Sequence, residues 1–383
     1  MGSTYRLMAT APLGLEAVVA REVKQLGYAC TVENGRVFYE TDAAGIARCN
    51  LWLRTADRVL LVVGEFPART FEELFEQTKA LPWPELLPRD ARFPVEGRSV
   101  KSQLSSVPAC QAIVKKAIVS SMQKRYNDTW LEESGALYGI EVSLLKDVAT
   151  ITLDTSGAGL HKRGYRTQTG PAPIKETLAA ALVLLSRWES HRPFADPLCG
   201  TGTIAIEAAM IARNIAPGWR RAFSAEAFAF LPSQSFSLAR EEARDIMRPA
   251  GSQPIFASDI DPSAVTMARA HASKAQVEDS ITFSVRPVAS FDPQVEYGCM
   301  ITNPPYGERL GDDPVVRQLY KEMGQMARRL PTWSFFVITA HPSFERLFAK
   351  PADKNRKLYN GRIECHFYQY LGPLPKRTKT LMT

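Results

Sequence analysis

The chain has 383 residues, more than one hydrophobic core usually organises, so two or three folding units are expected. Its 45% hydrophobic and 23% charged residues are ordinary for a globular protein; no run of about eighteen apolar residues spans a bilayer, and the N-terminus MGSTYRLMATAPLG lacks the apolar stretch of a secretory signal, which points to the cytoplasm and to no membrane partner. A formal charge of +7 favours an acidic partner such as nucleic acid, and the scattered cysteines and histidines lack metal-binding spacing, so free thiols and no metal are expected.

From Tyr5 to about Leu60, strand-like pieces flank one amphipathic helix, Leu13–Leu26, whose Leu15, Val18, Val19, Val23 and Leu26 recur at helical spacing. A small α+β unit follows from that pattern. From about Ala43 to Leu153 a second unit is predicted, with helices over Phe71–Lys79 and Pro108–Tyr126 and strands near Gly139–Leu145 and Val148–Leu153, the latter pair joined at Lys146-Asp147. Lys101, Lys115, Lys116, Lys124 and Arg125 in this region are either phosphate ligands or one solvated helix face.

The stretch Asp154–Pro173, rich in Gly, Thr and basic residues, separates this half from a different pattern. Beyond it, helices over Ile174–Trp188, Thr203–Arg213, Ser263–Ala275 and Val315–Leu330 alternate with a strand running into a glycine turn at Phe194–Gly202 and strands at Pro254–Ile260, Ile281–Val285, Gly298–Thr302 and Ser334–Ala340. Such alternation means a parallel sheet covered by helices on both faces. Asn360-Gly361 between two β-rich runs predicts a closing antiparallel hairpin. The long span Asn214–Ala250 carries Trp219, Arg220, Arg221, Phe223, Phe228 and Phe230, a composition that suits either unstacked bases or a helical packing insert.

Three motifs sit at strand ends. In Asp196-Pro-Leu-Cys199-Gly200-Thr201-Gly202-Thr203 the glycines let a ligand approach the backbone, and the following helix offers unpaired N–H donors. Gly200, Gly202 and Ala205 formally satisfy a dinucleotide fingerprint, but the next well-formed strand ends only at Asp259, too far on for the ribose acid of that fold; a P-loop is excluded because no Lys-Ser/Thr follows. At Asp259-Ile260-Asp261-Pro262, Asp259 can accept both hydroxyls of a ribose and Ile260 can lie against an adenine, while Asp261 caps the helix that Pro262 opens. Asn303-Pro304-Pro305-Tyr306 forms a stiff polar turn: the Asn303 side-chain oxygen and the Pro304 carbonyl can accept the N–H bonds of a planar exocyclic amine, relieving its delocalisation, and Tyr306 can stack on the base. The competing reading of these four residues is a plain structural turn.

The glycine motif followed by Asn303–Tyr306 resembles S-adenosylmethionine-dependent methyltransferases that modify exocyclic amines. Gly159-Leu-His161-Lys162-Arg163-Gly164-Tyr165-Arg166 with Ala172-Pro-Ile-Lys175-Glu176-Thr177 is similar to the segment preceding that motif in THUMP-containing RNA methyltransferases, and ATAPLGLEAVVAREVKQLGY, NLWLRTADRVLLVVGEF and SVKSQLSSVPACQAIVKKAI resemble their front modules. The chain is most similar to the ribosomal large-subunit (23S) rRNA guanine-N2 methyltransferase family, whose members often carry the label N6-adenine-specific DNA methylase. The resemblance implies an α/β Rossmann-like methyltransferase domain at 174–375 with a mostly parallel seven-stranded sheet. Ahead of it come a ferredoxin-like module at 1–60, a THUMP domain interleaved at 43–155 and a linker and lid at 156–173. It further implies that Asp196, Cys199, Gly200, Thr201, Gly202 and Thr203 wrap the cofactor, that Asp259, Ile260 and Asp261 border its ribose and adenine, and that Asn303 to Tyr306 take the target base, with Asn303 also beside the cofactor. His161, Lys162, Arg163, Tyr165 and Arg166 would close over the cofactor or RNA. Where the resemblance expects an acid for the adenine amine, the chain has Pro287-Val288-Ala289-Ser290, with Asp292 slightly beyond. The rival functions are an N6-adenine methyltransferase on DNA or RNA and a non-catalytic RNA-binding or ribosome assembly factor.

Overall fold

The computed structural model describes residues 4–166, 174–306 and 314–375. The chain divides into two compact units, the first formed by Met1–Pro12, Val19–Leu160 and Gly218–Ala243, the second by Leu13–Val18, His161–Pro217 and Arg244–Thr383. The front half thus takes back part of the long span that follows the glycine-motif helix.

In chain order the front half carries β1 (Tyr5–Thr10), α1 (Glu16–Gln25), β2 (Cys30–Glu33), β3 (Arg36–Thr41), α2 (Ala43–Trp52), β4 (Arg58–Pro67), α3 (Phe71–Lys79), α4 (Trp83–Leu86), β5 (Val95–Val100), α5 (Val107–Tyr126), β6 (Ile140–Leu145) and β7 (Val148–Asp154). The strands form one seven-stranded sheet in the order β2-β3-β1-β4-β7-β6-β5. Lys146 and Asp147 make the β6–β7 turn with φ of 51° and 64°, the paired left-handed geometry of a tight hairpin whose twist matches its strands. Helix α2 was not evident from periodicity. Asp42 caps it by accepting the Gly45 N–H at 2.8 Å.

The second half continues with α6 (Glu176–Leu185), β8 (Phe194–Asp196), α7 (Thr203–Ala212), α8 (Ser235–Asp245), β9 (Ile255–Asp259), α9 (Pro262–Lys274), β10 (Ile281–Val285), β11 (Cys299–Thr302), α10 (Pro314–Arg329), β12 (Ser334–Thr339), α11 (Phe344–Phe348), β13 (Lys354–Asn360) and β14 (Ile363–Tyr370). The sheet runs β10-β9-β8-β11-β12-β14-β13. Its first five strands pair in parallel and β14 returns antiparallel to both β12 and β13, as the alternation and the hairpin signal predict. Both faces are buried because apolar side chains of successive residues point opposite ways. Cys299, Ile301, Phe336 and Ile338 enter the cluster shared with α6, α7 and α9, while Met300, Phe335 and Val337 enter the one shared with α10 and α11.

The hairpin turn differs by one residue from the expectation. Asn360 is the last residue of β13, paired with Ile363, and Gly361-Arg362 makes the turn with Gly361 at φ 66°. The Asn360 side chain is thereby released from turn duty and serves elsewhere.

Candidate active site

Strand order reverses between β8 and β11: β9 follows β8 on one side, and β11 pairs with β8 on the other. In open α/β sheets ligands enter the crevice at the carboxyl ends of such strands. The glycine motif leaves the end of β8 and Asn303 follows the end of β11, so both open at this edge. Phe194 pairs with Cys299 and Ala195 with Met300, and just beyond them the Thr302 hydroxyl donates to Asp196 Oδ1 at 2.7 Å.

Asp196 is only 1% exposed. Burial pushes its carboxyl up to about 7; the bonds from Thr302 and the Leu198 N–H oppose that shift, and the charge of Asp259 adds to it. The turn after it is held by the Cys199 N–H on the Ser258 carbonyl (2.9 Å) and the Gly202 N–H on the Cys199 carbonyl (2.8 Å). Gly200 and Gly202 have φ of 50° and 85°, which L side chains rarely adopt. A Cβ on Gly200 would meet nothing within 4 Å, so the backbone there is open to a ligand; on Gly202 it would lie 2.9 Å from the Ala268 Cβ of α9. Thr201 faces α9 as well, its carbonyl 3.1 Å from His271 Nδ1. Cys199 is buried, and burial raises its thiol far above the ordinary range.

The Asp259 carboxylate joins two motifs. Oδ2 accepts the Gly200 N–H at 2.9 Å and Oδ1 accepts the Asp261 N–H at 3.1 Å. Asp261 caps α9 through the Ser263 N–H and hydroxyl, which hold its carboxyl below the usual range. Between them Ile260 is 68% exposed, an apolar side chain standing in solvent beside an acid. Ser290 donates to the Pro287 carbonyl at 2.9 Å, and Asp292 is exposed.

At the other motif, Asn303 Oδ1 is buried and accepts no hydrogen bond from the described residues. Such an orphaned acceptor costs about 1–3 kcal/mol; other buried polar atoms share that state, and Asn303 differs from them in standing at the carboxyl end of β11, beside the glycine turn. Pro304 is buried and Pro305 exposed, its carbonyl accepting the Tyr320 hydroxyl at 2.9 Å. Tyr306 is half-buried against the core cluster, and its Oη accepts from Asn360 Nδ2 at 2.9 Å. Burial raises the Tyr306 phenol well above its ordinary value, so it stays protonated. The ring expected to stack on a base is thus also an anchor of the turn.

The Arg163–Arg166 segment lies elsewhere than a free lid or RNA surface would. Arg163 and Tyr165 are 3% and 4% exposed and converge on Glu207 of α7, at 3.3 and 3.2 Å. Their burial turns these two side chains onto α7 instead of outward. Arg166 donates to Thr203 Oγ1 (2.7 Å) and the Ile174 carbonyl (2.9 Å) and pairs with Glu176 at 3.4 Å. The segment therefore grips the first two turns of the helix that starts at the glycine motif. His161 is half-buried and Lys162 exposed. In the first unit Lys101 and Lys116 are exposed, but Lys115 is engaged: it pairs with Glu133 at 2.5 Å, donates to the Phe93 carbonyl and sits 3.6 Å over the Phe93 ring. A phosphate would have to compete with Glu133 for it.

Glu207, His271 and Tyr320 have no part in the sequence reading, and Glu176, Thr302 and Asn360 enter it only as segment, strand-end and turn residues. Glu207 had a signal, since a lone carboxylate in the apolar run Thr203–Ala212 requires a buried cationic partner.

Residues 163–369 match the RMKL-like methyltransferase domain, residues 6–60 the RlmL ferredoxin-like domain and residues 68–154 the THUMP domain. The chain belongs to the RMKL-like methyltransferase family, an S-adenosylmethionine-dependent class. It is 52% identical to "Putative RNA methyltransferase YpsC" of Bacillus subtilis (strain 168), over 98% of each chain. A crystal structure from Listeria monocytogenes str. 4b F2365, described as "a predicted N6-adenine-specific DNA methylase", is 55% identical over 97% of each chain with a TM-score of 0.93. Another, "SMU.472, a putative methyltransferase complexed with SAH", is 46% identical over 98% of this chain and 100% of that one, TM-score 0.93.

Proposed function

We propose that this chain transfers a methyl group from S-adenosylmethionine to the exocyclic amine of a base in RNA, guanine N2 of 23S rRNA, in the cytoplasm. The observation that carries the reading is the unpartnered, buried Asn303 Oδ1 at the end of β11, one strand from the open glycine turn at the end of β8. The cradle fits the cofactor in its donor set: open backbone at Gly200, the Asp259 carboxylate for ribose hydroxyls and exposed Ile260 for an adenine face, with Cys199, Thr201, Gly202 and Thr203 shaping the turn. The description of SMU.472 as complexed with SAH supports the same assignment. The THUMP domain and the name of the Bacillus relative support RNA over DNA.

S-Adenosylmethionine supplies a methyl on a sulfonium, whose neutral thioether leaves without acid assistance. The chain's own work is positional. Asn303 Oδ1 and the Pro304 carbonyl accept the two N–H bonds of the amine, drawing its lone pair out of the ring and aiming it. The base must first leave its stack, as in other enzymes acting on bases. A bond forms between nitrogen and the methyl carbon as the carbon–sulfur bond breaks, and the extra proton passes from nitrogen to water afterwards. No strong base is required.

Nucleosides from ribosomal RNA of cells with and without the gene, compared by mass spectrometry, test the substrate. Loss of N2-methylguanosine is the expected result; loss of N6-methyladenosine moves the assignment to adenine, the reading that the name of the Listeria relative favours. Asn303→Ala should abolish turnover with cofactor affinity nearly intact. Normal turnover in that variant removes the mechanism, and failure of the purified protein to bind labelled S-adenosylmethionine favours an assembly factor.

A further inference from the structure

Prolines 304 and 305 bring no N–H groups, so the acceptor turn cannot be held by backbone donors at its centre. Side chains from two other elements reach it instead. Tyr320 of α10, fully buried, donates to the Pro305 carbonyl at 2.9 Å. Behind it the bonds have one consistent direction: the His341 N–H donates to Thr339 Oγ1 at 3.1 Å, and the Thr339 hydroxyl, 3.0 Å from Tyr320 Oη, donates onward, leaving the phenol proton for Pro305. From the opposite side Asn360, at the end of β13, donates through Nδ2 to Tyr306 Oη at 2.9 Å, with the Cys365 thiol beside the same hydroxyl. The anchored residues, Pro305 and Tyr306, follow directly on Asn303 and Pro304.

Given the acceptor role assigned above, we infer that Asn360 and Tyr320 are positioning residues for methyl transfer. They fix the turn so that the Asn303 carboxamide and Pro304 carbonyl meet the amine already oriented. Asn360 acts through the Tyr306 hydroxyl and Tyr320 through the Pro305 peptide; neither touches base or cofactor. Preset acceptors of this kind raise turnover rather than cofactor binding, because reorganisation during the reaction is what they remove.

The test is a double-mutant cycle on the full chain, reading labelled methyl transfer to 23S rRNA isolated from cells lacking the gene, with cofactor affinity by calorimetry. Asn360→Ala, Tyr306→Phe and Tyr320→Phe should each lower kcat about tenfold, the rate equivalent of one oriented hydrogen bond, with cofactor Kd changed less than about twofold. Asn360→Ala combined with Tyr306→Phe should be no worse than Tyr306→Phe alone. Asn360→Asp, which can accept from the Tyr306 hydroxyl instead of donating to it, should restore most of the rate and guards against a folding defect in the alanine variant. Unchanged kcat in Asn360→Ala, or additive losses in the double variant, overturns the inference. A wild-type protein that methylates no RNA base amine overturns the acceptor reading beneath it.

Discussion

The Thr302 hydroxyl and the Asp196 carboxylate, 2.7 Å apart and both buried, bond the end of the strand that launches the glycine turn to the end of the strand that launches Asn303. Asp196 is held at about 7, above its ordinary 3.8, chiefly by burial. Because the folded value lies above the unfolded one, the fold favours the protonated acid. That stabilisation is complete below 3.8 and is lost as pH rises through about 7. Melting temperature, measured without cofactor from about pH 5.5 to 8, should therefore fall more steeply in the wild type than in Asp196→Asn, whose side-chain oxygen still accepts from Thr302. Parallel curves for the two proteins would refute this account of Asp196.

Gly202 faces two obstacles to substitution, a φ of 85° and the Ala268 Cβ only 2.9 Å from where its own would stand. Gly202→Ala should cost about 1–2 kcal/mol for the backbone alone and more for the clash, and should weaken cofactor binding by distorting the turn. Adding Ala268→Gly removes the clash and leaves the backbone strain. Partial recovery of melting temperature and cofactor affinity in the double variant is the expected result, checked by calorimetry; no recovery would mean that the contact with α9 is immaterial.

The parallel sheet, its closing hairpin and the three strand-end motifs were legible because each is local: β-rich runs, turn residues and helix caps announce themselves within a few positions. What was not legible depends on partners distant in the chain. Arg163 looks like a surface cation until Glu207 is seen 3.3 Å away, and Asn360 looks like a turn residue until the β13–β14 register places it on the strand. Lys115 likewise reads as a phosphate ligand until Glu133 occupies it. Charge in a sequence has a sign but no address. The aromatic insert was ambiguous for the same reason, since packing and base stacking call for the same side chains.

Arg163 and Glu207 are almost wholly buried, with 2% and 0% of their side chains exposed, and Tyr165 completes the cluster. Glu207→Gln takes from the buried guanidinium its nearest counter-charge, leaving it the more distant Glu176, and should destabilise the protein by about 3 kcal/mol. Replacing both ions by apolar residues, Arg163→Met with Glu207→Leu, should recover most of that loss, because the desolvation of two charges disappears with them. Urea denaturation of the single and double variants measures both effects. Equal stability of Glu207→Gln and wild type would show that the pair carries no strong coupling.

Phe228 decides between the two uses of the aromatic insert. Its ring stacks on Tyr138 with centroids 4.5 Å apart and planes 13° from parallel, and both residues are almost fully buried. The adjacent backbone closes on the same tyrosine: the Ala229 N–H donates to Tyr138 Oη at 2.9 Å, and the phenol lies 3.3 Å from the Ala227 carbonyl. A ring enclosed in this way has no face left for a base. Phe228→Ala should therefore lose about 3–5 kcal/mol of stability, the range for deleting a buried phenylalanine, seen as a lower denaturation midpoint. Filter binding of 23S rRNA well below the melting temperature should be unchanged, since the lost contact is with Tyr138 and not with RNA. A variant that keeps its stability but binds that RNA more weakly would reverse the assignment and make the insert a base-stacking element.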